Sequence, residues 1–229
     1  MDFMRNYVFC ACCGILLSCS ETQDPDPEVV GFNYFPLELG TYRTYQVDKI
    51  TYSLVVPTDT ARYQMKELVA DTFHTPPVIN YILHRFSRST DEDSWQLDSV
   101  WTARRTENHA VLVENNIPYV KIVFPVRRNK IWNGNLFNSM PVDEYEITEI
   151  GGSTDTPAGV FNDVLTVFEN DDRDTLIFQD IRQSIYARNV GLIYRKSSIL
   201  KFCNTDPDCL GTLESGTKFE QVLVDYGKE

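Results

Sequence analysis

Hydrophobic and polar residues alternate along most of the chain after residue 40, in short runs that end at turn-forming residues. The run TYRTYQV (residues 41–47) places Tyr45 and Val47 on one face and Thr44 and Gln46 on the other. A period of two is typical of half-buried β-strands, and aromatic and β-branched residues fill these runs. Similar runs are ITYSLVV, YQMKELVADTF, VINYILHRFSRS, SWQLDSVWTARR, HAVLVEN, IPYVKIVF, DEYEITEI, VLTVFE, TLIFQ, VGLIYRKSSILKF and TKFEQVLVDY.

Helical periodicity is scarce in the same region. The best candidate is residues 176–185, where Ile177, Ile181 and Ile185 are four positions apart. Strands without alternating helices pair antiparallel, and a sheet of about ten strands curls. We therefore expect an all-β protein with a single large antiparallel sheet of about ten strands, as an open half-barrel or a sandwich. No interior linker divides residues 31–229, which we expect to form one β-rich domain.

The amino-terminal residues have a different pattern. Residues 7–17 are uncharged and apolar, and Arg5 precedes them. A membrane-spanning helix needs about 20 apolar residues, so this stretch has the length of a signal-peptide core instead. The motif LLSC (residues 16–19) follows and resembles the lipobox of bacterial lipoproteins. That resemblance implies cleavage of residues 1–18 as a signal peptide and lipidation of Cys19, which would hold the chain on a membrane through acyl chains.

The segment behind Cys19 is acidic and contains no apolar residue. Its sequence is SETQDPDPE (residues 20–28), which cannot bury surface and predicts a disordered tether over residues 19–30. It resembles the acidic signal that directs Bacteroidota lipoproteins to the outside of the outer membrane. We therefore expect an outer-membrane, lipid-anchored protein that is exposed on the cell surface. The alternative is an ordinary spacer facing the periplasm.

The remaining cysteines fit an oxidising compartment. Cys10, Cys12 and Cys13 lie in the predicted signal peptide, and their spacing lacks the paired CxxC pattern and the nearby histidine of a zinc site. Cys203 and Cys209 are separated by five residues, which allows a structural disulfide. A redox pair is the alternative, but such pairs favour CxxC beside a βαβ unit. We expect neither a metal nor a cofactor.

One acid-rich run offers oxygen ligands. Glu169, Asp171, Asp172 and Asp174 are close in sequence and match the ligand type that calcium prefers. The spacing differs from that of an EF-hand, and Arg173 would oppose a cation. A charged hairpin turn between two strands is the favoured interpretation.

Aromatic residues are the feature that favours binding. Trp95 and Trp101 are six residues apart, so along one strand their rings would point the same way. An exposed aromatic surface of this kind would suit a glycan or a protein partner. The alternative is ordinary packing in the core of a large β-domain.

Charge and motifs exclude several functions. The net charge of −12 argues against nucleic acid as a partner, because phosphate binding needs a basic face. The sequence contains no GxSxG, GxGxxG or HExxH motif, so it offers no catalytic residues and predicts a protein that is not an enzyme. A hydrolase with unrecognised acidic residues remains open, since chance pairs of carboxylates are frequent in so acidic a chain.

Three stretches resemble a family of uncharacterised outer-membrane lipoproteins of the Bacteroidota. They are FNYFPLELGTYRTYQVDKITYS, TPAGVFNDVLTVFE and YARNVGLIYRK, which follow one another in the order found in that family. The resemblance implies a β-rich fold akin to the open barrels of lipoprotein carriers, and it carries no activity. Within the third stretch, Gly191 separates two apolar runs and predicts a bulge or a close approach of another group.

These observations lead to three functional hypotheses. The first is a lipid-anchored protein of the cell envelope that acts as a non-enzymatic binding or structural module, with a protein, a glycan or an apolar molecule as its unknown partner. The second is a carrier that holds an apolar ligand in a half-barrel cavity. The third is the hydrolase.

Overall fold

The structure, a computed structural model, describes residues 26–174 and 176–229 of the chain. It begins with a helical turn, α1 (Pro27–Val30), and a 3-10 turn (Phe32–Tyr34). Twelve strands follow: β1 (Thr41–Tyr52), β2 (Asp59–Thr75), β3 (Val78–Arg88), β4 (Gln96–Arg105), β5 (His109–Glu114), β6 (Ile117–Val123), β7 (Ile131–Asn133), β8 (Glu144–Thr156), β9 (Gly159–Asp172), β10 (Phe178–Ala187), β11 (Gly191–Phe202) and β12 (Leu213–Lys228).

All twelve strands belong to one antiparallel sheet. Consecutive strands pair with each other, except that β6 and β7 form the two edges of the sheet. The first and last strands, β1 and β12, pair in the middle of the sheet. The edges meet: the amide of Val120 donates to the carbonyl of Gly134 at 2.9 Å, and the indole of Trp132 donates to the carbonyl of Val120 at 2.8 Å. The sheet is thus nearly closed into a barrel.

The predicted all-β fold and single antiparallel sheet are confirmed. The sheet has twelve strands rather than about ten, and it curls on itself instead of forming a two-sheet sandwich. Residues 176–185, the helical candidate, begin in a turn and continue into β10, whose two neighbours supply the hydrogen bonds of a strand. The run ITYSLVV was expected to be one strand, but β1 ends at Tyr52 and the apolar residues after it lie exposed in the turn.

The chain closes one end of the barrel before it enters β1. Tyr34 is fully buried among the residues that pack the seam between β6 and β7, and its hydroxyl donates to Asp163 at 2.7 Å. Arg188, in the turn between β10 and β11, donates to the carbonyl of Glu28 and to the side chain of Asn33. We call residues 28–37 the cap.

Part of the predicted tether is therefore packed. Residues 27–30 form α1, Val30 packs against the seam cluster, and its carbonyl accepts from the amide of Val126 at 3.0 Å. Val30 alone makes this apolar contact, since Val29 is exposed. The predicted signal peptide and most of the predicted tether lie outside the described residues. Within the part of the chain that the structure describes, no helix is both long and apolar enough to cross a membrane.

Candidate functional site: a charged cavity in the barrel

A small cavity of about 50 Å³ lies inside the barrel, below the cap. Side chains from β1 to β6 and from β10 to β12 line it, together with residues 35–37 of the cap. Five of the residues that line it are charged. We call it the charged cavity.

Three charges lie side by side on neighbouring strands at one wall of this cavity. Arg43 on β1 is directly opposite Glu67 on β2, which is directly opposite Arg85 on β3. A guanidinium nitrogen of Arg43 donates to Glu67 at 2.9 Å, whereas the Nε of Arg85 lies 3.9 Å from the other carboxylate oxygen. Directly opposite residues on antiparallel strands share a face, so the strand register fixes this row of positive, negative and positive charge.

Arg43 also crosses the barrel interior to the turn before β11. Its Nη1 donates to the carbonyl of Val190 at 3.0 Å. A Cβ atom on Gly191 would lie 2.6 Å from that nitrogen, and the backbone of Gly191 has a φ of 91°, in the left-handed region. The sequence left open a bulge or a close approach at this glycine. The structure shows a close approach, in which a side chain would displace the guanidinium.

A second charged group lies at the opposite wall of the charged cavity. The ammonium of Lys121 is 2.7 Å from Glu114, and Arg195 lies 3.4 Å from the other oxygen of the same carboxylate. Glu169 is buried close by and accepts from the hydroxyl of Ser184 at 2.7 Å. The charged groups named at the two walls are four cations and three carboxylates, which leaves one positive charge in excess.

These contacts keep both carboxylates ionised. Burial by itself would raise the pKa of Glu114, but Lys121 and Arg195 outweigh it and lower that pKa to about 2. Burial opposes ionisation of Glu169 in the same way, and the same two cations, with the hydrogen bond from Ser184, hold its pKa below the usual value. The pKa of Arg195 is raised, chiefly by the charge of Glu114. Glu114, Glu169 and Arg195 are therefore charged at neutral pH.

Trp101 forms the floor beneath Arg85. The guanidinium carbon lies 3.6 Å from the ring centroid, which is a close cation–π contact. The indole N–H of Trp101 is buried and has no hydrogen-bond acceptor among the described residues, and the same holds for the Nε groups of Arg43 and Arg85. Three N–H donors that line the charged cavity are thus left without a protein partner.

The predicted aromatic surface of Trp95 and Trp101 does not form. Trp101 is only 8% exposed and belongs to a core cluster, whereas Trp95 precedes β4 and stacks beneath Arg88 at 4.4 Å. Where β3 pairs with β4, Arg85 lies opposite Ser99 and Phe86 opposite Leu97, so the chain between Trp95 and Trp101 does not alternate regularly. The alternative of core packing holds for Trp101.

The other predicted sites lie away from the charged cavity. The structure joins Cys203 and Cys209 in a disulfide across the turn between β11 and β12, with their Cα atoms 5.7 Å apart. Cys19 lies outside the described residues. In the acid-rich run, Glu169 faces inward, while Asp171 and Asp172 end β9 at the hairpin turn. No cluster of potential metal ligands occurs in residues 26–174 and 176–229.

Two charged residues within apolar runs of the sequence indicate the charged cavity, although the alternation of polar and apolar residues does not predict it. Lys121 stands inside the apolar run YVKIVF, and Glu169 ends the run VLTVFE. Charges embedded in an otherwise apolar strand are candidates for inward-facing positions, because a surface strand would alternate. Their partners on other strands became identifiable only with the register.

Comparisons with known proteins give little further information. No protein-family model matches the chain, and no curated protein matches it. Two solved structures are similar: a proposed exported protein with a YmcC-like fold from Bacteroides fragilis, with a TM-score of 0.46, and a proposed lipoprotein from Parabacteroides distasonis, with a TM-score of 0.44. Each has 12% sequence identity to this chain and covers 85% of it and 98% of its own length. At these values the likenesses carry no argument about function.

Proposed function

We propose that this chain is a lipid-anchored, non-enzymatic protein of the cell envelope whose barrel acts as a binding or structural module. The single observation that carries the anchor is the LLSC motif at residues 16–19, directly behind the apolar residues 7–17. A thioether-linked diacylglycerol on Cys19, with a further acyl chain on the new amino terminus, would anchor the protein stably, at about 0.8 kcal/mol per buried CH₂ group.

The placement proposed for the protein is the outer membrane, with the barrel on the cell surface. The acidic residues between Cys19 and the described body support this placement, since they resemble the surface signal of Bacteroidota lipoproteins. The net charge of −12 disfavours contact of the barrel itself with anionic lipid, so the acyl chains would carry the attachment alone. It also disfavours nucleic acid as a partner.

The charged cavity supports a binding or structural module over a carrier of apolar ligands. Ligand pockets typically measure about 300–1,000 Å³ and are mostly apolar. This cavity measures about 50 Å³, and Arg43, Glu67 and Lys121 face it. An acyl chain placed there would have to displace buried ion pairs and leave their charges without partners, which is costly.

The same charges disfavour a glycoside hydrolase in the cavity. That chemistry needs one protonated carboxylic acid and one carboxylate. Glu114 and Glu169 both have lowered pKa values, so neither would be protonated near neutral pH. Their cationic neighbours hold them as structural ion pairs.

Membrane fractionation of cells that produce two cysteine variants tests the anchor. We expect Cys19→Ala to leave the membrane fraction, because its side chain cannot be acylated. Cys13→Ala is the matched control, since it removes a cysteine from the predicted signal peptide and leaves the lipobox intact, and it should fractionate like the unchanged protein. Retention of Cys19→Ala in the membrane fraction would refute the proposal.

A further inference from the structure

Three of the N–H groups on residues that line the charged cavity have no acceptor among the described residues. They are the Nε groups of Arg43 and Arg85 and the indole N–H of Trp101, all of them buried. The same residues include one buried acceptor without a hydrogen bond, Glu114 Oε1, but the ammonium of Lys121 lies 2.7 Å from it. Buried polar groups in folded proteins are almost always paired, so an unpaired group points to a water or an ion at that place. Three unpaired N–H donors around one cavity indicate a site for a hydrogen-bond acceptor.

The balance of charge around these donors favours a negative acceptor. Arg43 and Arg85 face a single carboxylate, Glu67, so this wall of the cavity carries one positive charge in excess. At the other wall, Lys121 and Arg195 are balanced by Glu114 and Glu169. A buried charge that lacks a counter-ion costs free energy, and a bound anion would remove that cost.

The size of the cavity limits what it can hold. A water needs about 10–15 Å³ of such space, so about 50 Å³ holds three or four waters or one group with about as many heavy atoms. A carboxylate group is of that size. Its two oxygens can accept from donors that lie on one side of it, which is how a guanidinium group binds a carboxylate.

Arg85 lies between the charged cavity and the surface. It also lines an open groove of about 790 Å³, whose other lining residues include Ser87, Arg88 and Asp93 around the turn between β3 and β4. A carboxylate could therefore be either a free small anion or the end of a larger molecule that lies in this groove.

We infer that Arg43, Arg85 and Trp101 form a binding site for a carboxylate group inside the barrel. The two guanidinium Nε groups and the indole N–H donate to the carboxylate oxygens, and the surplus positive charge of the wall neutralises it. This site is independent of the lipid anchor, so a failure of either proposal leaves the other standing.

The three tryptophans allow a direct test by NMR. The full-length chain, labelled with ¹⁵N-tryptophan and purified in detergent, should give one indole N–H signal for each of Trp95, Trp101 and Trp132. We expect sodium acetate to shift the Trp101 signal in a saturable way. Trp132 is an internal reference because its N–H is bonded to the carbonyl of Val120. Acetamide is the neutral control of the same shape, and sodium chloride is the control for ionic strength.

Variants identify the donors by thermal shift. Trp101→Phe keeps the ring and removes the N–H, and we expect it to weaken acetate binding about tenfold or more, since hydrogen bonds to charged groups are strong. Trp95→Phe is the matched control outside the cavity and should bind like the unchanged protein. Arg85→Met should abolish binding, and its melting curve without acetate reports whether it folds.

The outcomes separate the sources of the carboxylate. Tighter binding of hexanoate than of acetate would assign the site to the end of a larger molecule in the groove, and equal binding would assign it to a small free anion. An unsaturable or absent shift of the Trp101 signal would show that the cavity holds water only and would overturn the inference. An equal response to acetamide or to chloride would overturn it as well.

Discussion

The ammonium group of Lys121 lies 2.7 Å from the carboxylate of Glu114, across the hairpin of β5 and β6, and Lys121 is only 4% exposed. Arg195 reaches the same carboxylate from β11 on the far side of the cavity. Two distant parts of the sheet are thus joined by one buried group. The stability of the barrel should depend on the charge of that group.

Acid should destabilise the protein through Glu114. Its pKa is lowered from 4.5 to about 2 in the folded state, so its contribution is complete above pH 4.5 and is lost as the pH falls toward 2. We expect Glu114→Gln to lower the free energy of unfolding by about 3 kcal/mol at pH 6, because Lys121 and Arg195 lose their partner. The variant should also lose less stability than the unchanged protein between pH 4.5 and pH 2.

Urea unfolding at a series of pH values measures both effects. Glu107→Gln is the matched control, since it removes one carboxylate from an exposed turn. An equal acid dependence of Glu114→Gln and the unchanged protein would contradict the assignment.

A side chain at position 191 should disturb Arg43. Gly191→Ala adds a Cβ atom that would lie 2.6 Å from Arg43 Nη1, in a backbone with a φ of 91°. Gly151→Ala is the control, since Gly151 has a φ of 85° and its added Cβ meets nothing within 4 Å. The positive φ should cost both variants about 1–2 kcal/mol. We expect the free energy of unfolding of Gly191→Ala, measured by chemical unfolding, to fall by about 1–3 kcal/mol more than that of Gly151→Ala. An equal loss in the two variants would show that the contact with Arg43 is unimportant.

The cap should depend on Arg188. This side chain donates to Glu28 and Asn33 and lies 4.6 Å from the ring of Tyr34. We expect Arg188→Gln to speed hydrogen exchange in residues 28–35 and to leave the exchange of the central strands unchanged, because local opening does not require global unfolding. Arg62→Gln is the control, as Arg62 is an exposed side chain on β2. Unchanged exchange in residues 28–35 would mean that the other contacts of the cap, among them the hydrogen bond from Tyr34 to Asp163, hold it without Arg188.

The disulfide should stabilise the turn between β11 and β12. Closing so short a loop contributes roughly 2 kcal/mol on the chain-entropy model. Replacing Cys203 and Cys209 together by serine should therefore lower the free energy of unfolding by about that amount. A reductant should lower the stability of the unchanged protein similarly and leave the double variant unaffected. Equal stability with and without reductant would contradict a stabilising role.

Local pattern was sufficient for the strands and insufficient for their arrangement. The alternation in β1 marks Tyr45 and Val47 as inward-facing, and both are buried. The same pattern could not reveal that β1 pairs with β12, because Thr41 and Lys228 are far apart in sequence and meet only in the folded sheet. A half-barrel and a sandwich remained alternatives for a related reason, since the choice depends on whether the two edge strands, β6 and β7, meet.

The charged cavity was harder to predict for the same reason. A charge is stable inside a protein only beside its partners, and the partners of Glu114 come from β6 and β11. The prediction that Trp95 and Trp101 point the same way failed because it assumed a regular strand. The pairing of β3 with β4 has a register shift between these two positions. Positions that depend on two or more strands cannot be derived from one strand alone.

The most direct test of the account is the mass of the amino-terminal peptide of the protein purified from membranes. We predict a peptide that begins at Cys19 and carries the added mass of a diacylglyceryl group and a further acyl chain. A peptide that begins at Met1, or an unmodified Cys19, would contradict the central claim that this barrel is held at a membrane by lipid.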